Sequence, residues 1–177
     1  VYGGRGHRRS PFYEREVELG GYFMELGGWE RAHGYAANEH LLEKWSDEVP
    51  VRENEWDNRH FWRVSNAEHL EMSSNVGMVN LSHFAMFDVS GPDHEALMEY
   101  ACVAKIGGEN MIGKGIYTHF LDDLGGVAAD LTVIRMPERC RVIDGADAGP
   151  RDYNYLKRLA QDKGFDVTID DVSEKYT

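Results

Sequence analysis

Apolar residues fall into two regimes along this chain. Up to about residue 57 they come in short, aromatic-rich pieces broken by glycine: Ser10-Pro11-Phe12-Tyr13, Gly20-Gly21-Tyr22-Phe23, Gly27-Gly28-Trp29, Trp45, Val49-Pro50 and Trp56. Ser10, with Pro11 next and Glu14 beyond, starts a helix that Gly20-Gly21 stops after barely two turns. Pieces this short need another surface to lie on, so the segment is expected to be an irregular linker wrapped on a neighbouring domain. From Asn58 the pattern becomes regular. Asn58 is placed to cap a helix over 58–74, with Phe61, Val64, Ala67 and Leu70 on one face. Residues 76–89, interrupted near His83, read as strand. Ser90-Gly91-Pro92-Asp93 is turn chemistry, and Asp93 caps a helix whose Ala96, Leu97, Tyr100, Ala101 and Ala104 recur at helical steps as far as Gly107-Gly108. Strands at 116–121 and 127–136 flank the loop Asp122-Asp123-Leu124-Gly125-Gly126 and give the strongest hairpin signal. A short strand over 140–144, a helix from Gly149-Pro150-Arg151 through Leu156, Leu159 and Ala160 to Gly164, and a strand at 167–169 complete the order. The sum is an α+β fold, a split β-α-β-β-α-β (ferredoxin-like) arrangement with helices on one sheet face.

Composition narrows the class. With 177 residues, 42% of them hydrophobic and 28% charged, the chain suits one packed domain plus an appendage and excludes wholesale disorder or a disulfide scaffold. A formal net charge of -12 opposes nucleic acid and anionic membrane as partners. The two cysteines, Cys102 and Cys140, fit a reducing compartment, which makes a cytoplasmic location the expectation, or the mitochondrial matrix in a eukaryote. No apolar run is long enough to span a membrane. The start at Val1, without an initiator Met or signal peptide, and a final strand close to the last residue suggest a piece of something longer.

Most candidate motifs fail on their own chemistry. Gly108-Glu109-Asn110-Met111-Ile112-Gly113-Lys114-Gly115 has the spacing of a phosphate-binding loop up to its lysine. Glycine then stands where the magnesium-binding hydroxyl belongs, and the segment runs from helix to strand, the reverse of the motif. The eight histidines are scattered without ligand spacing, so no metal site is expected. Asn80-Leu81-Ser82 matches a glycosylation acceptor by chance. Asp130 stands apart as a carboxylate inside the strand Val127-Ala128-Ala129-Asp130-Leu131-Thr132-Val133-Ile134, apolar on both faces. Aspartate is a poor strand residue and expensive to bury unpaired. It shares a face with Ala128, Thr132 and Ile134, and either Tyr117 or Thr118 is expected opposite it, depending on register. Two roles remain open: pairing with a buried arginine or capping a loop, and acting on an amine ligand from a dry pocket.

Several words of the sequence resemble a known family. Asn80-Leu81-Ser82-His83-Phe84, Val89-Ser90-Gly91-Pro92-Asp93, Gly115-Ile116-Tyr117-Thr118 and Gly125-Gly126-Val127-Ala128-Ala129-Asp130-Leu131-Thr132-Val133 resemble the first part of the folate-binding domain of the aminomethyltransferase (glycine-cleavage T-protein) family. Arg9-Ser10-Pro11-Phe12-Tyr13, Gly27-Gly28-Trp29-Glu30 and Tyr35-Ala36-Ala37-Asn38 resemble the junction between flavin and folate domains in dimethylglycine and sarcosine dehydrogenases or oxidases. The resemblance implies a junction over 1–57 and a truncated folate-binding domain over 58–177. It implies a flavoenzyme that oxidises a methylamine with FAD in a preceding domain and passes the one-carbon unit to tetrahydrofolate. By the same resemblance Asp130 falls on the essential aspartate, Tyr117 on the aromatic lining the folate, and Phe84 and Thr132 on positions flanking the pterin. Ala129 departs from the pattern, in which a second acid commonly precedes the aspartate. The alternatives are a flavin-free folate-dependent aminomethyl or methyl transferase, and a folate-binding protein without catalysis.

Overall fold

The computed structural model describes residues 5–51 and 61–176. The Asn58 cap, Trp56 and the 57/58 boundary lie outside the described residues. The chain divides into two units, one ending at Ser82 and the other beginning at His83. In the first, helix α1 (Tyr13–Glu18) gives way to strands β1 (Gly21–Leu26) and β2 (Trp29–Tyr35), paired antiparallel. Gly27 and Gly28, with φ of 60° and 85°, form the two-residue turn whose twist matches a hairpin. The linker thus carries more regular structure than its broken pattern suggests: the strands are short and only half apolar, and the Gly-Gly turn is their clearest signal. Helices α2 (Leu41–Lys44) and α3 (Trp62–Ser74) enclose a small core of Leu41, Val49 and Ala67, ringed by Leu42, Trp45, Trp62 and Leu70. The expected apolar face of α3 is present, with Val64 and Ala67 buried. Residues 76–81 form no strand, contrary to expectation, and Val76 and Met78 are 99% and 95% exposed. Their apolar run has neither a partner strand nor an alternating pattern, and Asn80 bends the chain by accepting the Ser82 N–H while its amide donates to Ser10 Oγ.

The second unit runs β3 (Ala85–Ser90), α4 (His94–Ala101), β4 (Gly115–Leu121), β5 (Val127–Met136), β6 (Arg139–Asp144), α5 (Gly149–Lys163) and β7 (Thr168–Asp171). The sheet order is β4-β5-β6-β3-β7, antiparallel at every pairing. β3 sits between β6 and β7, the two strands that α5 joins, so the split α+β plan holds, with the 140–144 strand taking full membership in the sheet. Alternate residues of the strands supply one core with both helices: Phe87, Val89, Phe120, Leu131, Val133 and Val142 meet Leu97, Met98, Leu156 and Ala160. Each of these large side chains contributes about 2 kcal/mol by leaving water. Both helices of this unit pack on that core face, and neither lies on the other. α4 ends at Ala101, well before Gly107-Gly108, because the chain folds back onto it: Glu99 accepts the N–H groups of Ile106 and Gly107, and Glu95 Oε1 accepts that of Gly108. Asp93 adds no side-chain cap; its Oδ2 accepts the Asp166 N–H instead. The Asp122 carboxylate closes the β4-β5 loop by accepting the N–H groups of Leu124 and Gly126. Among the described residues no helix is long and apolar enough to cross a membrane.

Candidate functional site

β5 sorts its side chains by period two. Ala129, Leu131, Val133 and Arg135 are buried, whereas Ala128 and Asp130 are exposed and Thr132 and Ile134 half-buried on the uncovered face. The register places His119 opposite Asp130 and Tyr117 opposite Thr132. Neither expected residue therefore faces Asp130 directly: an irregularity between Phe120 and Leu121 sets the pairing, and Thr118 turns to the core, where its hydroxyl accepts the Ala104 N–H. Tyr117 reaches Asp130 along the diagonal, one pleat away on the same face, and donates its phenol O–H to Oδ2 at 3.1 Å. That carboxylate raises the Tyr117 pKa, with a smaller contribution from lost hydration, since an ionised phenol would face a like charge. The His119 ring stands edge-on to Tyr117 at 5.1 Å.

Asp130, Tyr117, Phe84 and Thr132 all line one cavity of about 680 Å³, a size suited to a small organic ligand. The expected dry setting of Asp130 is not what the structure shows. Asp130 is exposed and Tyr117 is 63% exposed, on the face of the sheet that α4 and α5 do not cover. The energetic difficulty of burying the aspartate disappears with this placement. Among the described residues no guanidinium neutralises it, and its side-chain partner is Tyr117. Phe84, stacked on His83 at 5.5 Å, supplies an apolar wall.

The far side of the cavity is a feature that the sequence pattern did not announce. It is built by Asp144, Gly145, Asp147, Ala148 and Arg151, the end of β6 and the start of α5. Asp144 is only 3% exposed; its Oδ1 accepts the Gly145 N–H at 2.7 Å and its Oδ2 has no partner among the described residues. Burial pushes its carboxyl up to about 7, and the neighbouring Asp152 carboxylate adds to the rise. Asp152, also 3% exposed, is bound through both oxygens by Arg151 at 2.7 and 2.9 Å. A negative charge on Asp144 would stand buried beside the carboxylate that Arg151 holds, which favours the proton on Asp144. A signal was present: Cys140, Val142 and Asp144 occupy the inward phase of β6, which puts an acid where an apolar residue belongs.

Other candidates give no site. The Gly107 and Gly108 N–H groups that a phosphate would need are taken by Glu99 and Glu95. Among the described residues no cluster of three or more His, Cys, Asp or Glu side chains could hold a metal. Cys102 and Cys140 are buried free thiols, pushed up to about 12 and about 11 by burial.

Comparison with known proteins places this geometry in a family. The model of the GCVT N-terminal domain matches residues 12–177. The chain is 32% identical over 169 residues to the 4-methylaminobutanoate oxidase (formaldehyde-forming) of Paenarthrobacter nicotinovorans, covering 93% of this chain and 19% of that protein. It is 29% identical over 168 residues to the aminomethyltransferase of Cutibacterium acnes and 26% over 163 residues to that of Bordetella avium; these matches cover 94% and 92% of this chain and 37% of each enzyme. The structure of glycine cleavage system aminomethyltransferase T from Bartonella henselae superimposes with a TM-score of 0.66 at 20% identity, over 95% of this chain and 39% of that one. The chain therefore spans well under half the length of these relatives, which include an amine oxidase and aminomethyltransferases, and on the strength of the family match it belongs to the GCVT N-terminal domain family.

Proposed function

We propose that this chain is the first part of a tetrahydrofolate-binding domain in an oxidative N-demethylase acting on a small methylamine such as dimethylglycine or sarcosine. The observation that carries the reading is the Tyr117–Asp130 hydrogen bond at the wall of the cavity. It is supported by the family match and by an amine oxidase among the relatives. FAD, assigned to a domain preceding this chain and held by none of the cavity residues, supplies the oxidation of the N-methyl group. Asp130 accepts the proton that one folate nitrogen loses as it adds to the carbon of the iminium left by oxidation of the N-methyl group; the second folate nitrogen then displaces the demethylated amine, which leaves with that nitrogen's proton, and neither step exchanges electrons. Tyr117 holds one carboxylate oxygen and so fixes the other for the amine. Phe84 and the pleat around Thr132 give the flat ring apolar contact, and the ring itself excludes water from the exposed aspartate once bound.

The test uses the full-length protein with Asp130→Asn. Amine oxidation, followed by reduction of a dye acceptor, is expected to persist. Formation of methylene-tetrahydrofolate should fall by about 100-fold or more, with the one-carbon unit appearing as formaldehyde. Transfer at the wild-type rate would reject Asp130 as the proton acceptor.

A further inference from the structure

The cavity has a second polar pole that the proposed reaction does not use. Asp144 reaches it from the end of β6, on the face opposite to Asp130, and around it stand Asp152 and Arg151 from α5 and Asp147 from the connecting loop. Arg151 is committed to Asp152 through two bonds, so among the described residues no cation pairs with Asp144 itself. Asp144 Oδ2 is buried and unpartnered and the charge of Asp152 acts on it, a setting in which an uncompensated charge on Asp144 is costly and the protonated acid is favoured. Asp144 itself is already almost out of contact with water, at 3% exposure, and a ring settling in the cavity replaces the nearby water whose polarisation still steadies a charge there. A neutral acid tolerates that loss, and an ionised one resists it.

Resting on the folate reading of the cavity, we propose that Asp144 is a specificity-determining residue that must carry a proton for the cavity to bind its flat, uncharged ring, so that ligand and proton are taken up together. Burial raises the Asp144 carboxyl to about 7, with the charge of Asp152 adding to the rise, and there small changes of pH shift its occupancy. Linkage is reciprocal: a ligand that prefers the protonated form raises the affinity of Asp144 for its proton by the same factor.

The experiment is calorimetric titration of the full-length protein with tetrahydrofolate in buffers of different ionisation enthalpy, repeated at pH ~6 and ~8. Wild type should take up a proton on binding near neutrality, and its Kd should rise about ten-fold across that range. Asp144→Asn, a neutral isostere, should bind with the low-pH affinity throughout and exchange no proton at this site. Infrared spectra of the ligand-free wild type should show a protonated carboxyl band persisting to near neutrality. Asp152→Asn should move that band and the pH dependence of Kd to lower pH, which tests the same point should Asp144→Asn not fold. Binding without proton uptake, or a pH dependence that survives in Asp144→Asn, overturns the role of Asp144 and leaves the cavity reading standing. Absence of tetrahydrofolate binding by wild type overturns the cavity reading itself, and this proposal with it.

Discussion

Asp144 shows how one side chain sets a pH response. Its folded pKa of about 7 stands above the 3.8 of a free aspartate, so between those values the folded chain holds a proton that the unfolded chain has released. Stability from this group is therefore greatest at low pH, declines as pH rises from the ordinary carboxylate range toward 7, and is flat above it. Asp144→Asn removes the dependence. In urea titrations it should be more stable than wild type at pH ~8 by roughly 2–4 kcal/mol, with the advantage fading toward pH ~4. Stability curves for the two proteins that run parallel over this range would show that Asp144 ionises in the ordinary way. Asp130 makes the opposite case. It stands on an uncovered face with a phenol as its partner, and the energetic reason for singling it out, its supposed burial, does not apply. The sequence singled out Asp130 on a premise of burial that the structure does not bear out: period-two alternation told its face but not whether anything covered that face.

At the level of elements, what could be read in advance followed the strength of local chemistry. The β4-β5 hairpin, α5 with Pro150 in its first turn and Gly164 in the left-handed conformation at its end, and the order of the second unit were legible because turn and cap residues coincide with periodic apolar runs. The first unit was not, since its hairpin depends on Gly27-Gly28 and on packing between short pieces. Residues 76–81 misled because an apolar run without alternation says nothing of a partner strand. The far wall of the cavity was marked in the sequence only by Asp144 in the inward phase of β6, because the rest depends on contact between α5 and β3. There Gly149 lies so close that an added Cβ would collide with Ala85 Cβ. Gly149→Ala should destabilise the second unit by about 2 kcal/mol through overpacking and should widen the cavity by lifting the start of α5. The double variant with Ala85→Gly should be more stable than Gly149→Ala alone by urea denaturation. Additive losses in the double variant would mean that the two positions do not touch.

On the scale of the whole molecule, the two units should answer acid with opposite signs. In the first, burial lowers the His33 pKa, with Arg31 adding to the effect. The unfolded chain then binds the proton more readily, and stability falls as pH drops below the ordinary histidine value. In the second, protonation of Asp144 raises stability over the same interval. The net charge of -12 adds a general repulsion that also weakens as pH falls. Salt separates this from the local effects, because at about 0.5 M the screening length is roughly 4 Å and long-range repulsion is suppressed. Hydrogen exchange at high salt, corrected for the intrinsic pH dependence of exchange, is the measurement. Between pH ~7 and ~5, amides of β2 and α3 should lose protection while those of β5 and β6 gain it. With Asp144→Asn the gain in β5 and β6 should vanish and the loss in β2 and α3 should remain. A uniform change across both units would show that overall charge, and not Asp144 and the half-buried His33, governs the response to acid.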